Sequence, residues 1–162
     1  MANKKITDLT ELTEAASDDY LEIVDTSANT SNKISRENLT GWHFLTTPLT
    51  STSWDGDSYS TTAKTKIDLS EVFGVPAGIK AVLVKVALRD SGSAAASCVF
   101  ELSGVSSGTK YSLTAQASPI ADRFAYYSGI VPCDANGDVY YQIAASGTGT
   151  MDVFLEIWGY WL

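Results

Sequence analysis

Residues 79–89, IKAVLVKVALR, constrain the architecture more tightly than any other stretch. Val82, Val84, Val86 and Leu88 alternate with Lys85 and Arg89, a period of two that puts the valines on one face of a strand and the charges on the other. Such a strand is half-buried and belongs to an antiparallel sheet with one face in solvent. Nothing in the chain carries a long helical pattern. Short runs with the same alternation, separated by turn residues, follow one another. Thr65, Ile67 and Leu69 share a side, and Cys98, Phe100 and Leu102 alternate with Val99 and Glu101. Tyr111 and Leu113 come next, then Phe124, Tyr126 and Ile130, then Val139, Tyr141 and Ile143. Residues 72–78 read as a turn with its own small apolar cluster. About eight strands at this spacing predict an all-β fold, an antiparallel β-sandwich of jelly-roll type, over residues 63–162. Residues 41–62 read as a connector, in which Trp42, His43, Phe44 and Leu45 offer a possible first strand.

The last strand, from Met151, breaks the half-buried rule. Val153, Leu155, Ile157 and Trp161 fall on one face by simple alternation. Phe154, Trp158, Tyr160 and Leu162 fall on the other, interrupted by Glu156. A surface strand that is apolar on both faces needs a cover. Either it lies at the centre of the sandwich or its second face meets another subunit, and the subunit interface is the reading we carry forward.

The residues with chemical potential are few. His43 is the single histidine, so a Ser/His or Cys/His pair must use it, and its aromatic surroundings favour packing. Cys98 and Cys133 are too few for a disulfide scaffold, which favours folding in a reducing cytoplasm. Glu101 and Glu156 sit on strands, but a glycosidase needs two carboxylates facing one sugar, and sequence does not bring these together. The run Asp134-Ala135-Asn136-Gly137-Asp138 has oxygens on alternate residues, yet the later glutamate of a calcium loop is missing. A hairpin turn with Asn136-Gly137 at positive φ accounts for it better. No catalytic residue, metal ligand or cofactor site is therefore expected. Trp54, Tyr59, Tyr126 and Tyr127 are candidate sugar-stacking residues, with Tyr140 and Trp158 behind them, although aromatics at alternating strand positions also build cores.

The chain has 162 residues, is 44% hydrophobic and carries a net charge of −8. That charge argues against a nucleic-acid groove or an anionic membrane as partner, and suits a soluble, exposed protein. Lys4 and Lys5 are not followed by an apolar run, so no secretory signal is expected, and no stretch is long enough to insert in a bilayer.

Residues 1–40 form a second unit of different character. Ile6, Leu9 and Leu12 give a turn with one apolar edge; Leu21 and Ile23 lie on one side of a strand at residues 20–25. A polar loop at 26–32 precedes a very short strand, Lys33-Ile34, and Ser35 can cap a closing turn that buries Leu39. About 35 residues with so few large apolar groups do not fold alone. The segment is either a solvated tail or a module that completes its core against another copy or a docking surface.

The pattern carried by Lys5, Ile6, Thr7, Asp8, Leu9, Leu12, then Asp18, Asp19, Leu21, Ile23, Val24, Asp25, then Lys33, Ile34, Ser35, Asn38 and Leu39 resembles the N-terminal module of tailed-bacteriophage fibre proteins. The resemblance covers about a quarter of the chain. It implies a virion-attached homotrimer, with this module bound to another virion protein and the β-sandwich displayed at the virion surface. On that reading the chain is a bacteriophage fibre or decoration protein, a structural protein and not an enzyme. The alternatives are a tail-fibre module that binds a host surface glycan and, from a different class, a small hydrolase.

Overall fold

The structure, a computed structural model, describes residues 20–25, 30–35, 41–51, 53–54, 56, 63–92 and 98–162. The chain divides into two compact units, Met1–Gly41 and Trp42–Leu162. In the first, β1 (Tyr20–Asp25) and β2 (Thr30–Ser35) form an antiparallel pair with Leu21 opposite Ile34 and Ile23 opposite Asn32. The strand at 20–25 is as the sequence predicts. The second is six residues long and starts inside the stretch expected to be loop; Thr30 and Ser31 carry polar side chains that extended backbone accepts as readily as a turn does. Ile6, Leu9, Leu12 and Leu39 lie outside the described residues, as does Tyr59.

Among its described residues the second unit has eight strands, β3 (Trp42–Leu49), β4 (Thr65–Ile67), β5 (Ala81–Asp90), β6 (Val99–Ser103), β7 (Leu113–Gln116), β8 (Ala125–Pro132), β9 (Val139–Ala144) and β10 (Met151–Trp161). They form two four-stranded antiparallel sheets, ordered β3-β10-β5-β8 and β4-β9-β6-β7. Taken in chain order, strands 1, 8, 3 and 6 of the unit make one sheet and 2, 7, 4 and 5 the other, which is the jelly-roll arrangement. The apolar patch at residues 42–45 does form the first strand of this unit, an edge strand of the first sheet that runs on to Leu49 and pairs with β10.

The alternation read in the sequence sets the core. Val82, Val84, Val86 and Leu88 from β5 meet Met151, Val153, Leu155 and Ile157 from β10 in the first sheet. Phe100, Leu102, Ala115, Val139 and Ile143 face them from the second, all nearly inaccessible to solvent. Each side chain of this size contributes roughly 1.5–3 kcal/mol by leaving water. Cys98 is buried here, and both cysteines are free thiols. Burial pushes the Cys133 thiol up to about 12, with Asp134 and Asp138 adding to the shift.

Two sequence readings are corrected by the connections. Leu69 does not extend β4. It opens α1 (Leu69–Phe73), whose N-terminal carboxylate, Asp68, accepts from the Glu71 amide at 3.0 Å, and whose C-cap, Gly74, takes φ 72°. The run 134–138 is not a hairpin: β8 and β9 belong to different sheets, so it is a crossover between them. Gly137 does take positive φ (92°), but Asn136 does not. Asp134 accepts from the amides of Asn136 and Asp138, each at 2.9 Å, and from the Tyr140 hydroxyl at 3.0 Å. Its carboxylate thus closes the turn. At the other end of the sandwich the buried Asp90 carboxylate accepts from the Gly92 and Ser146 amides at 2.9 Å and from the Ser146 and Thr150 hydroxyls. That ties the end of β5 to the loop before β10.

Candidate functional site

The outward faces of the two sheets differ in kind. On the second sheet the outward positions are Lys66, Tyr140, Gln142, Glu101 and Thr114, hydrogen-bonded among themselves and to the loops. Lys66 pairs with the buried Asp138 at 3.0 Å. On the first sheet the outward positions hold most of the exposed large apolar side chains among the described residues: Phe44 (72% exposed), Tyr126 (65%), Ile130 (54%), Phe154 (54%) and Trp161 (45%), with Ile120 and Val105 in loops elsewhere. A soluble sandwich covers such a face with polar groups, and contiguous apolar exposure of this kind marks an interaction surface.

A β-bulge in β10 decides which aromatics reach this face. Ile157 pairs with Val84, whereas Gly159, two residues on, pairs with Leu83, the immediate neighbour of Val84. The extra residue, Trp158, reverses the alternation beyond it. Tyr160, expected outward, turns inward, opposite Val82 and His43, and packs against the core. Trp161, expected inward, turns outward, opposite Trp42, with ring centroids 5.7 Å apart. Gly159 permits the fit, since a Cβ there would lie 2.8 Å from the His43 carbonyl oxygen. His43 stacks on Tyr160 at 5.2 Å, the packing role its surroundings suggested.

The register then sorts the outer face into rows across the sheet. At one end Trp42, Phe44 and Trp161 cluster, with Leu83 and Ile130 beside them and Leu162 just beyond. The middle row is polar: Glu156, Lys85 and Ser128. Lys85 Nζ donates to Glu156 Oε2 at 3.0 Å, and the Trp158 indole N–H donates to the same oxygen at 3.0 Å. The Trp158 hydrogen bond, then Lys85, holds the Glu156 carboxyl below its ordinary pKa. Beyond that row Phe154, Ala87 and Tyr126 lie side by side, and then Asp152 and Arg89, with Phe124 over the guanidinium at 4.9 Å. Arg89 is ion-paired with Asp152 and, at 2.9 Å, with Asp122.

The sugar-stacking candidates are dispersed by this geometry. Trp54 is wedged against Phe73, Phe100 and Tyr141, with one side on a groove of about 320 Å³ beside Phe154. Tyr127 faces inward and its hydroxyl donates to the Gln116 carbonyl at 2.9 Å, so it is structural. Of the three candidates among the described residues, Tyr126 alone is exposed on the outer face. Phe154 and Trp158, expected at a subunit contact, sit with the groove and with Glu156, and Leu162 follows β10 and is exposed. Glu101 and Glu156 belong to different sheets and do not form a carboxylate pair. No group of three or more His, Cys, Asp and Glu suited to a metal occurs among the described residues. The same residues contain no helix long and apolar enough to cross a membrane.

No model of a known protein family matches the sequence, and no curated protein matches it either.

Proposed function

We propose that this chain is a structural protein of a tailed-bacteriophage particle. Residues 1–40 dock it to another virion protein, and the jelly-roll unit is displayed outward as a fibre or decoration head. The observation that carries the reading is the contrast between the two outer sheet faces. A monomeric sandwich has no use for Trp42, Phe44 and Trp161 clustered at the edge of one sheet, while a self-associating one does. The bodies therefore meet through this end of the sheet, and the resemblance of the N-terminal segment implies that three copies do so. A catalytic reading finds no support in the placement of His43, Glu101 or Glu156.

Deleting residues 1–40 tests the division of labour. The body keeps its own core and stays folded, but it no longer joins particles. Assembly of the truncated protein onto virions at normal copy number overturns the anchoring role.

A further inference from the structure

The crossover between β8 and β9 carries the only asparagine of the chain that is followed by glycine, Asn136-Gly137. A glycine has no Cβ to hinder its amide nitrogen, so that nitrogen has a clear approach to the side-chain carbonyl of the asparagine before it. The turn opposes the approach. The Gly137 amide donates to the Asp134 carbonyl at 3.1 Å, and the Asn136 amide donates to Asp134 Oδ1 at 2.9 Å. The Gly78 amide donates to the Asn136 carbonyl at 3.2 Å, and the Asp134 amide to the Asp138 carbonyl at 2.8 Å. Asn136 itself is exposed to water, whereas Gly137 is buried. The backbone around Gly137 is also tight, since a Cβ there would lie 2.8 Å from the Gly78 nitrogen.

We propose that Asn136 is a self-modification site, at which the chain loses ammonia while the crossover is open, and that the isoaspartate formed there keeps the crossover from closing again. The Gly137 nitrogen, its proton taken by hydroxide, bonds to Asn136 Cγ; the Cγ–Nδ2 bond breaks and ammonia leaves. One water then opens the resulting succinimide at either carbonyl, to aspartate or to isoaspartate. In the closed turn the Gly137 N–H is already committed to the Asp134 carbonyl, so reaction follows the population of the open form. The product does not fit where the asparagine was. An isoaspartate runs the main chain through the former side chain, adding one methylene and about 1.5 Å of backbone. The crossover has no room for it, because Gly137 already touches the loop before β5, and the Gly78 bond to the Asn136 carbonyl is lost with the register. Each opening therefore carries a chance of irreversible loosening between the two sheets. The proposal does not depend on where the protein is mounted.

Peptide mapping by mass spectrometry tests it on the full chain, stored at mildly alkaline pH in native buffer and in guanidinium chloride. Isoaspartate at residue 136 is scored with a protein-isoaspartate methyltransferase. Conversion is faster by about tenfold or more in denaturant than in the folded chain. Asp134→Ala removes the carboxylate that closes the turn; checked for a native circular-dichroism spectrum, it speeds conversion in native buffer by about tenfold or more. Asn136→Gln, which would need a larger ring, gives no product over the same period. The isoaspartate form, separated by anion exchange on its extra negative charge, melts below Asn136→Asp, which carries the same charge on an ordinary backbone. Equal rates in the folded and denatured chain overturn the proposal, as does a denatured chain that does not convert. A folded Asp134→Ala that converts no faster than the parent overturns it too, and so does an isoaspartate form that melts with Asn136→Asp.

Discussion

Replacing two glycines by alanine separates the cost of backbone conformation from the cost of crowding. Gly74 and Gly137 both hold positive φ, 72° and 92°. A Cβ on Gly74 would meet nothing within 4 Å, whereas one on Gly137 would lie 2.8 Å from the Gly78 nitrogen and 3.0 Å from the Ile79 nitrogen. Both obstacles are backbone, so the crossover or the loop before β5 must move. Gly74→Ala therefore costs about 1–2 kcal/mol, the penalty of left-handed backbone for an L residue. Gly137→Ala carries the same penalty. It also weakens the 3.2 Å hydrogen bond from the Gly78 amide to the Asn136 carbonyl, about 0.5–1.5 kcal/mol, and displaces packed backbone. The first two terms sum to about 1.5–3.5 kcal/mol, the displaced backbone adds to that, and Gly137→Val is worse again. For a body of this size 1 kcal/mol moves Tm by about 3–5 °C, so the two alanine variants separate by at least about 2 °C. Urea unfolding followed by tryptophan fluorescence gives the free energies. Equal losses at the two sites would refute the reasoning, because the contact with Gly78 would then be absorbed without cost.

Acid offers a second test. Burial acts most strongly on Asp90 and raises its pKa, but the hydrogen bonds from Ser146, Gly92 and Thr150 together outweigh it and leave the carboxyl below the usual carboxylate value. With the folded pKa depressed, its stabilisation is present above the unfolded carboxylate pKa and is lost as pH falls through the folded value. Asp90→Asn should therefore flatten the acid limb of stability against pH between those values; an unchanged limb removes Asp90 from the account. At the bulge, Gly159→Ala forces β10 from the His43 carbonyl, and hydrogen exchange should rise in β3 while β5 and β8 stay protected. Uniform protection would show that β3 tolerates the methyl group.

Much of this was legible in the residues because period-two alternation reports directly on burial. Val82 to Leu88 and Cys98 to Leu102 lie as their pattern requires, and eight such runs lead to the two sheets. What alternation does not report is a change of phase. Gly159 beside Trp158 is the mark of the bulge, a glycine inside a strand where another backbone approaches, and overlooking it exchanged Tyr160 with Trp161. α1 was also announced, by Asp68 three residues before Glu71 and by Gly74 after Phe73, but five residues are too short to show helical period. The groove beside Phe154 was not legible at all. Phe154, Ala87 and Tyr126 come from three strands, and only strand order brings them together.

The central claim is that the end of the β3-β10-β5-β8 sheet carrying Trp42, Phe44 and Trp161 joins copies of the body. Sedimentation velocity of residues 41–162 at about 1, 10 and 100 µM measures it directly. Each aromatic buried at the contact contributes roughly 2–3 kcal/mol, so its loss weakens association by about 30- to 150-fold at each contact. The account predicts a wild-type body that is oligomeric at about 10 µM and a Phe44→Ser/Trp161→Ser body that is monomeric and folded at the same concentration. A wild-type body that remains monomeric throughout the range contradicts it.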